Sequence, residues 1–358
     1  MEKHAKLVLS DKTEFIGIAA GFQKSTAGEV VFATGMTGYD QSLTDPSYAG
    51  QILTFTYPLI GNWGVPPKQF WESSKIQVCG VIISDLTTHP NHWQMQKTLN
   101  DWLIEQKIPA LIGIDTRALT QKIRTQGSML GKIIVDGLDP DFYDPNLDNL
   151  VSEVSIKKPI IHEPKRLNLK SPHIALLNCG AKRSIITSLT LRGAIVHELP
   201  WNFDPFLNGL KLDGLVISNG PGDPKMAKDS IDIVRKALTK KLPTFGICLG
   251  NQILALAAGG DTYKLKFGHR AQNQPTQEVG TKRCYITTQN HGFAVNTKKL
   301  PPGFKPWFVN VNDNTNEGII HTKLPFFSVQ FHPEATPGPT DTKFLFDYFL
   351  NIVKKHAT

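Results

Sequence analysis

The sequence predicts an α/β protein in two parts. A β-rich α/β domain comes first, and a domain with a mainly parallel sheet flanked by helices follows. Three observations carry that prediction. Short apolar or alternating runs, broken by Gly, Asp or Pro, dominate the first part. After residue 172, runs of strand and helix character alternate, as parallel strands with crossover helices require. Between them lies "DPDFYDPNLDNLVSEVSIKKPIIHEPKRLNLKSP" at 139–172, rich in Pro and charge and weakly periodic. The expected division is 1–150 for the first domain, 151–171 for the connector and 172–358 for the second. A chain of 358 residues is long for one domain and comfortable for two.

In chain order, the strand-like runs of the first part are "KLVLS", "EFIGIAA", "EVVFAT", "QILTFTY" and "VCGVIIS". A helix is expected over "WQMQKTLNDWLIEQK" (93–107). A second is expected in "DTRALTQKIRTQG", with Asp115 as N-cap and Gly127 as stop. In the second part "HIALLN", "AIVHELP", "LDGLVIS" and "PTFGIC" read as strands. "KRSIITSLTLRG", "DSIDIVRKALTKK" and "NQILALAAGG" read as helices, the last stopped by Gly259 and Gly260. Ligands bind at the carboxyl ends of such strands. Two loops are placed there, "SNGPGDP" and the turn around Cys248.

Composition narrows the function classes. Hydrophobic residues make up 40% and charged residues 20%, as in soluble globular proteins. No run of about 18 apolar residues is present to span a membrane, and the amino terminus lacks a secretory apolar core. The 4 cysteines form no CxxC pair and no zinc spacing, so a reduced, cytoplasmic protein without a metal site is expected. The net charge of +8 comes from scattered Lys and Arg, and no nucleic-acid-binding motif accompanies it. It is read as general surface basicity.

"FGICLGNQ" sets Cys248 between Gly246 and Gly250 in the pattern Gly-x-nucleophile-x-Gly. A tight strand-to-helix turn would expose the sulfur at the sheet edge. A helix starting near Leu249 would favour the thiolate through its positive end. The Leu249 N–H would point where an oxyanion forms. The five residues alone leave two readings open, a nucleophile and a buried cysteine in an ordinary turn. Cys79, Cys179 and Cys284 lack this setting and read as core or incidental thiols. A nucleophilic cysteine needs a base and an orienting partner. Among the 11 histidines, His332 in "FFSVQFHPEATPGP" is the informative one. A strand-like run leads into it, Pro333 stops the run, and Glu334 sits two residues on. In extended geometry Glu334 would reach the far ring nitrogen and hold the tautomer.

"SNGPGDP", "FGICLGNQILALAAG", "TQNHGFAV" and "FSVQFHPEATPGP" resemble the class I glutamine amidotransferases. "GEVVFATGMTGYDQSLTDPSYAGQILTFTYPLIGNWGV" and "DLTTHPNHWQ…IPALIGIDTRALTQKIRTQG" resemble the amino-terminal domain of the carbamoyl-phosphate synthase small subunit. The likeness covers nearly the whole chain. It implies that Cys248, His332 and Glu334 form a triad that hydrolyses glutamine through a γ-glutamyl thioester. It implies that Gly220 and Gly222 line the glutamine site, with the Gly222 N–H as second oxyanion donor beside Leu249. Gln252, Asn290, Gly292 and Phe293 match glutamine-contacting positions, and Ser47 in "TDPSY" matches a contact from the first domain.

The family also implies a partner, a large synthetase subunit that uses ATP, a divalent cation and bicarbonate and receives the ammonia. No cofactor is expected in this chain itself, which has no G-x-x-x-x-G-K-[ST] loop. Neither nucleic acid nor membrane is expected as a partner. Asn251 departs from the "CLGHQ" of many family members. "GHRAQNQP" and "VNVNDNTNEGIIH" look more like fused animal synthases. Three rival readings stand beside this one: a glutaminase serving another synthetase, such as one making anthranilate or GMP; a regulatory or scaffolding subunit without activity; and a triad hydrolase of peptides. "MTGY" and "TDPSY" oppose the first, the intact Cys–His–Glu set the second, and "NHG" with Ser47 the third.

Overall fold

The computed structural model describes residues 3–166, 170–207 and 209–356. The chain divides into two compact units. One comprises Met1–Asp148 with Lys266–Ala271, the other Asn149–Leu265 with Gln272–Thr358.

The first unit is a closed barrel of mixed direction. Around it run His4–Leu9, Glu14–Gly21, Pro109–Ile112, Gly80–Ile83, Gln51–Phe55, Thr26–Ala33 and Met129–Val135. The last closes onto the first, with Ala5 opposite Val135. The strands Thr26–Ala33, Gln51–Phe55, Gly80–Ile83 and Pro109–Ile112 pair in parallel. Their period of two sends Val30, Ile52 and Ile82 into one apolar cluster and Val31, Leu53 and Val81 into another. Burial on both faces explains why these strands read as near-continuous apolar runs.

The helix Thr116–Gln126 starts and stops at the residues expected. The Asp115 carboxylate accepts the Ala118 N–H at 2.8 Å, and Gly127 takes φ 110°. The helix expected over 93–107 is shorter, Leu99–Glu105. Thr98 caps it by accepting the Asp101 N–H at 3.1 Å. Upstream, a bridge takes the backbone: the Val65 N–H donates to the Lys97 carbonyl and the Gln96 N–H to the Val65 carbonyl. That tertiary pairing overrides the local helical pattern.

The second unit is built on a 10-stranded sheet. Its parallel heart runs Ile195–Pro200, His173–Asn178, Gly214–Ile217, Thr244–Ile247 and Phe326–Val329. Beyond Phe326–Val329 the pairing turns antiparallel through Asn316–His321 and Phe304–Asn310. Part of 151–171 is built into this unit. Leu150–Val154 is helical, and Ile160–His162 pairs antiparallel with Ile195–Pro200 at the sheet edge. Residues 167–169 of that segment lie outside the described residues. Phe245 on the central strand stacks on Phe327 at 4.6 Å, and Phe346 and Phe349 of the helix Phe344–His356 pack on Phe245. The central strand is thereby held between its two neighbours and a helix layer.

The parallel strands all end at the same edge of the sheet. That edge receives the loop after Ile217, Cys248 after Ile247, and Gln330–His332 after Val329. Cys248 and His332 are thereby delivered by two strands that lie side by side, Thr244–Ile247 and Phe326–Val329. Among the described residues no helix is long and apolar enough to cross a membrane.

Replacing Asp115 by Ala removes the cap of Thr116–Gln126 and should cost about 1 kcal/mol of stability. Urea unfolding followed by far-UV circular dichroism measures it. A midpoint equal to that of the wild type would show that the carboxylate carries no capping energy.

Candidate active site

Cys248 follows the strand Thr244–Ile247 directly and precedes the helix Leu249–Ala257. Its backbone takes φ 54° and ψ −105°, outside the regions that a residue with a Cβ prefers. The surroundings impose it. The Cys248 N–H donates to the Val329 carbonyl at 2.8 Å, and its own carbonyl accepts the Asn251 N–H at 3.0 Å. Helix and strand approach too closely for side chains at the two flanking glycines. A Cβ on Gly246 would lie 2.4 Å from the Gly250 carbonyl oxygen, and one on Gly250 would lie 2.2 Å from that of Ile217. The thiol is buried, and its sulfur lies 3.5 Å from the Asn290 carbonyl oxygen. Leu249 opens the helix, so its N–H has no acceptor within the helix.

His332 is placed by its N–H, which donates to the Thr288 carbonyl at 2.9 Å. The strand before it ends at Val329, earlier than the sequence pattern suggested. His332 and Glu334 meet in a tight turn, not along an extended chain. The Ala335 N–H returns to the His332 carbonyl at 3.3 Å, and Ala335 takes φ 58°. The turn brings Glu334 Oε1 to 2.6 Å from His332 Nδ1. Nε2 of the ring has no hydrogen-bond partner among the described residues and is the atom left for chemistry.

A third charge completes the group, and sequence reasoning missed it. Lys182, in the loop after the strand His173–Asn178, donates from Nζ to Glu334 Oε1 at 2.8 Å and to the Thr336 carbonyl. Lys182, Glu334 and His332 are all buried. Burial alone would drive the His332 imidazole toward neutrality, but the Glu334 carboxylate and the Cys248 sulfur reverse this and hold it up at about 10. Burial would push the Glu334 carboxyl up, and the Lys182 ammonium with His332 instead brings it down to about 2. Burial pushes the thiols of Cys79 and Cys179 up to about 12, as suits inert thiols, and Cys284 is exposed. The only sequence signal for Lys182 was its place in a loop at the carboxyl edge of the sheet.

The remaining expected residues fall as follows. A Cβ on Gly220 would meet the Cys179 carbonyl oxygen at 2.1 Å and Leu249 Cδ2 at 2.7 Å, so the loop after Gly214–Ile217 packs on the start of the helix Leu249–Ala257. Gly222 takes φ 80° in the same loop. Asn290, Gly292 and Phe293 lie on the strand Cys284–Val295. Gln252 turns its amide nitrogen onto the Phe293 carbonyl at 2.8 Å and onto Gln330 Oε1 at 3.2 Å, so this end of the side chain is held by the protein. Ser47 is a buried residue of the first unit, and its N–H donates to Asp45 Oδ1 at 2.9 Å. Asn251, unexplained in the sequence, bridges Gln330 Oε1 at 2.9 Å and the Ser328 hydroxyl at 2.8 Å.

Residues 175–352 match the family described as glutamine amidotransferase class-I. Residues 7–133 match that described as carbamoyl-phosphate synthase small chain, CPSase domain. The chain is 47% identical to the Homo sapiens protein named carbamoyl-phosphate synthase [ammonia], mitochondrial, over 98% of this chain and 24% of that protein. It is 48% identical to multifunctional protein CAD of Squalus acanthias, over 98% of this chain and 16% of that one. It is 45% identical to multifunctional protein URA2 of Saccharomyces cerevisiae, over 98% and 17%. The chain thus spans a quarter or less of the length of these relatives.

The paired charges make stability pH-dependent. His332 is raised from 6.5, so its contribution is complete below that value and is lost as pH rises through about 10. Glu334 is lowered from 4.5, so its contribution is complete above that value and is lost as pH falls toward about 2. The stability advantage of the wild type over His332→Gln should therefore narrow as pH rises from 6.5 to 10 in urea unfolding. A gap that widened over this range would contradict the ionic pairing. Lys182→Met leaves a buried carboxylate short of a partner and should cost about 3–5 kcal/mol in the same assay.

Proposed function

Because this chain belongs to the carbamoyl-phosphate synthase small-chain family and carries a class-I glutamine amidotransferase domain, we propose that it is the glutamine-hydrolysing part of a carbamoyl-phosphate synthase. The observation that carries this reading is the cysteine elbow facing a histidine held by a buried carboxylate, all at the carboxyl ends of adjacent parallel strands.

Cys248 Sγ, as thiolate, attacks the side-chain amide carbon of glutamine. The carbon–sulfur bond forms as the carbonyl π electrons move onto oxygen. The Leu249 N–H supports that oxyanion with the Gly222 N–H. His332, cationic beside Glu334, gives its Nε2 proton to the departing nitrogen, and the carbon–nitrogen bond breaks to release ammonia. A γ-glutamyl thioester remains. Neutral His332 then takes a proton from water, whose oxygen attacks the thioester. Glutamate leaves, the thiolate returns, and His332 is again cationic. Glu334 fixes the ring through Nδ1 and stabilises the imidazolium, with Lys182 holding the carboxylate in place. Gly220, Gln252, Asn290, Gly292 and Phe293 are the proposed surroundings of the glutamine.

Ammonia in water at neutral pH is mostly ammonium and no longer nucleophilic, so it has to pass to an acceptor within the protein. The relatives carry the matched region within much longer chains. We assign the acceptor site to a synthetase using bicarbonate, ATP and a divalent cation, as a separate large subunit or a further domain. The thiols are free, which suits a reducing compartment such as the cytoplasm.

A second reading has one observation in its favour, since the human relative is named for ammonia. In that reading the chain keeps the fold without hydrolysing glutamine. The strained elbow that presents Cys248 opposes it, because a scaffold has no use for the strain.

With the synthetase present, Cys248→Ser should lower glutamine-dependent carbamoyl-phosphate formation by about a thousandfold or more. Ammonia-dependent synthesis should be unchanged. Equal use of glutamine by variant and wild type would overturn the assignment of the nucleophile. A glutamine-analogue electrophile should label Cys248 in the wild type, and the absence of an adduct with the synthetase bound would favour the scaffold.

A further inference from the structure

Gln330 is fully buried beside the thiol, outside the residues that the sequence motifs single out. Its amide nitrogen lies 3.7 Å from Cys248 Sγ. A side-chain amide can present its oxygen or its nitrogen to a neighbour, with opposite effects on a thiolate. The surrounding hydrogen bonds decide which end it presents. The Phe293 main-chain carbonyl can only accept, so the Gln252 group 2.8 Å from it is the amide nitrogen. That nitrogen also lies 3.2 Å from Gln330, on an atom that must then be the acceptor Oε1. The Asn251 atom at 2.9 Å from the same oxygen must be a donor, Nδ2. Asn251 Oδ1 is thereby turned to Ser328, whose hydroxyl donates at 2.8 Å. With Oε1 taken by two donors, only the nitrogen of Gln330 is left to face the sulfur.

We propose that Gln330 is a further catalytic residue whose amide N–H stabilises the Cys248 thiolate, aimed by a hydrogen-bond network that the Phe293 carbonyl sets through Gln252 and that Asn251 and Ser328 complete. This deepens the glutaminase reading and rests on it. A thiolate accepts such a bond far better than a thiol, so the donor favours the charged form. The Asn290 carbonyl works the other way, since it accepts only from the S–H form. The charged groups facing the sulfur are His332, with Glu334 and Lys182 behind it. Asn251, Gln252 and Ser328 are positioning residues in this scheme. The role explains why asparagine suits position 251: it accepts from Ser328 with one atom and donates to Gln330 with the other.

The test is the pH dependence of Cys248 alkylation by iodoacetamide, followed by mass spectrometry of the Cys248 peptide, with melting curves to check folding. Gln330→Met removes the donor at nearly constant volume. It should displace the profile to higher pH and slow alkylation about tenfold on its rising limb. Asn251→Leu leaves only Gln252 to hold Gln330 and should move the profile the same way by about threefold. If Gln330→Met does not fold, Asn251→Leu carries the test. A folded variant of either kind whose profile overlays that of the wild type overturns the proposal. Glutamine hydrolysis by the wild type, with the synthetase present, is assayed in parallel. Its absence would defeat the glutaminase reading while leaving the alkylation profiles to judge Gln330 on their own.

Discussion

The close approach of the helix Leu249–Ala257 to the strands beneath it is the constraint on which the rest of the site depends. Two glycines make it possible, one on the central strand and one in the first turn of the helix. With a Cβ at either position, backbone oxygens would be met at less than 2.5 Å. The approach drives Cys248 into its strained conformation, and main-chain hydrogen bonds on both sides hold it there. Because the elbow is built on the central strand of a sheet buried on both faces, it has no room to relax by shifting.

Around this strained point the protein assembles charge where charge is expensive. Lys182, Glu334 and His332 form a buried row from ammonium through carboxylate to imidazole. Burial by itself would neutralise His332 and Glu334, and the row persists because each charge faces an opposite one. A buried row of this kind is weak evidence for stability and better understood as orientation. It holds the ring through one nitrogen and leaves the other open. The neutral amide network on the other flank of the sulfur applies the same logic with dipoles: a main-chain carbonyl fixes one amide, and that amide fixes the next.

Much of the framework was legible in the chain. The Asp115 cap, the Gly127 stop and the start at Leu249 of the helix after Cys248 are local features, written in residues a few positions apart. Helix 93–107 was overestimated because a bridge between Val65 and Lys97 claims the backbone upstream of Thr98, and nothing near residue 97 announces residue 65. The pairing of His332 with Glu334 was anticipated on a mistaken geometry. Extended spacing and a tight turn both bring positions i and i+2 together, and only the fold shows that the turn does so here.

The sequence by itself determined the alternation of strand and helix, the glycine-flanked cysteine and the nearness of His332 to Glu334, because these depend on short-range spacing and backbone sterics. The tertiary structure alone decided which distant residues meet at the sheet edge. Lys182 lies 152 positions from Glu334, and Asn251 lies 79 from Gln330. Asn251 looked like an unexplained departure because its two partners, Ser328 and Gln330, come from a neighbouring strand and the loop beyond it. The physical reason is the parallel sheet, which delivers the ends of strands far apart in the chain to one edge, while a residue's own neighbours carry no record of which strand will lie beside it.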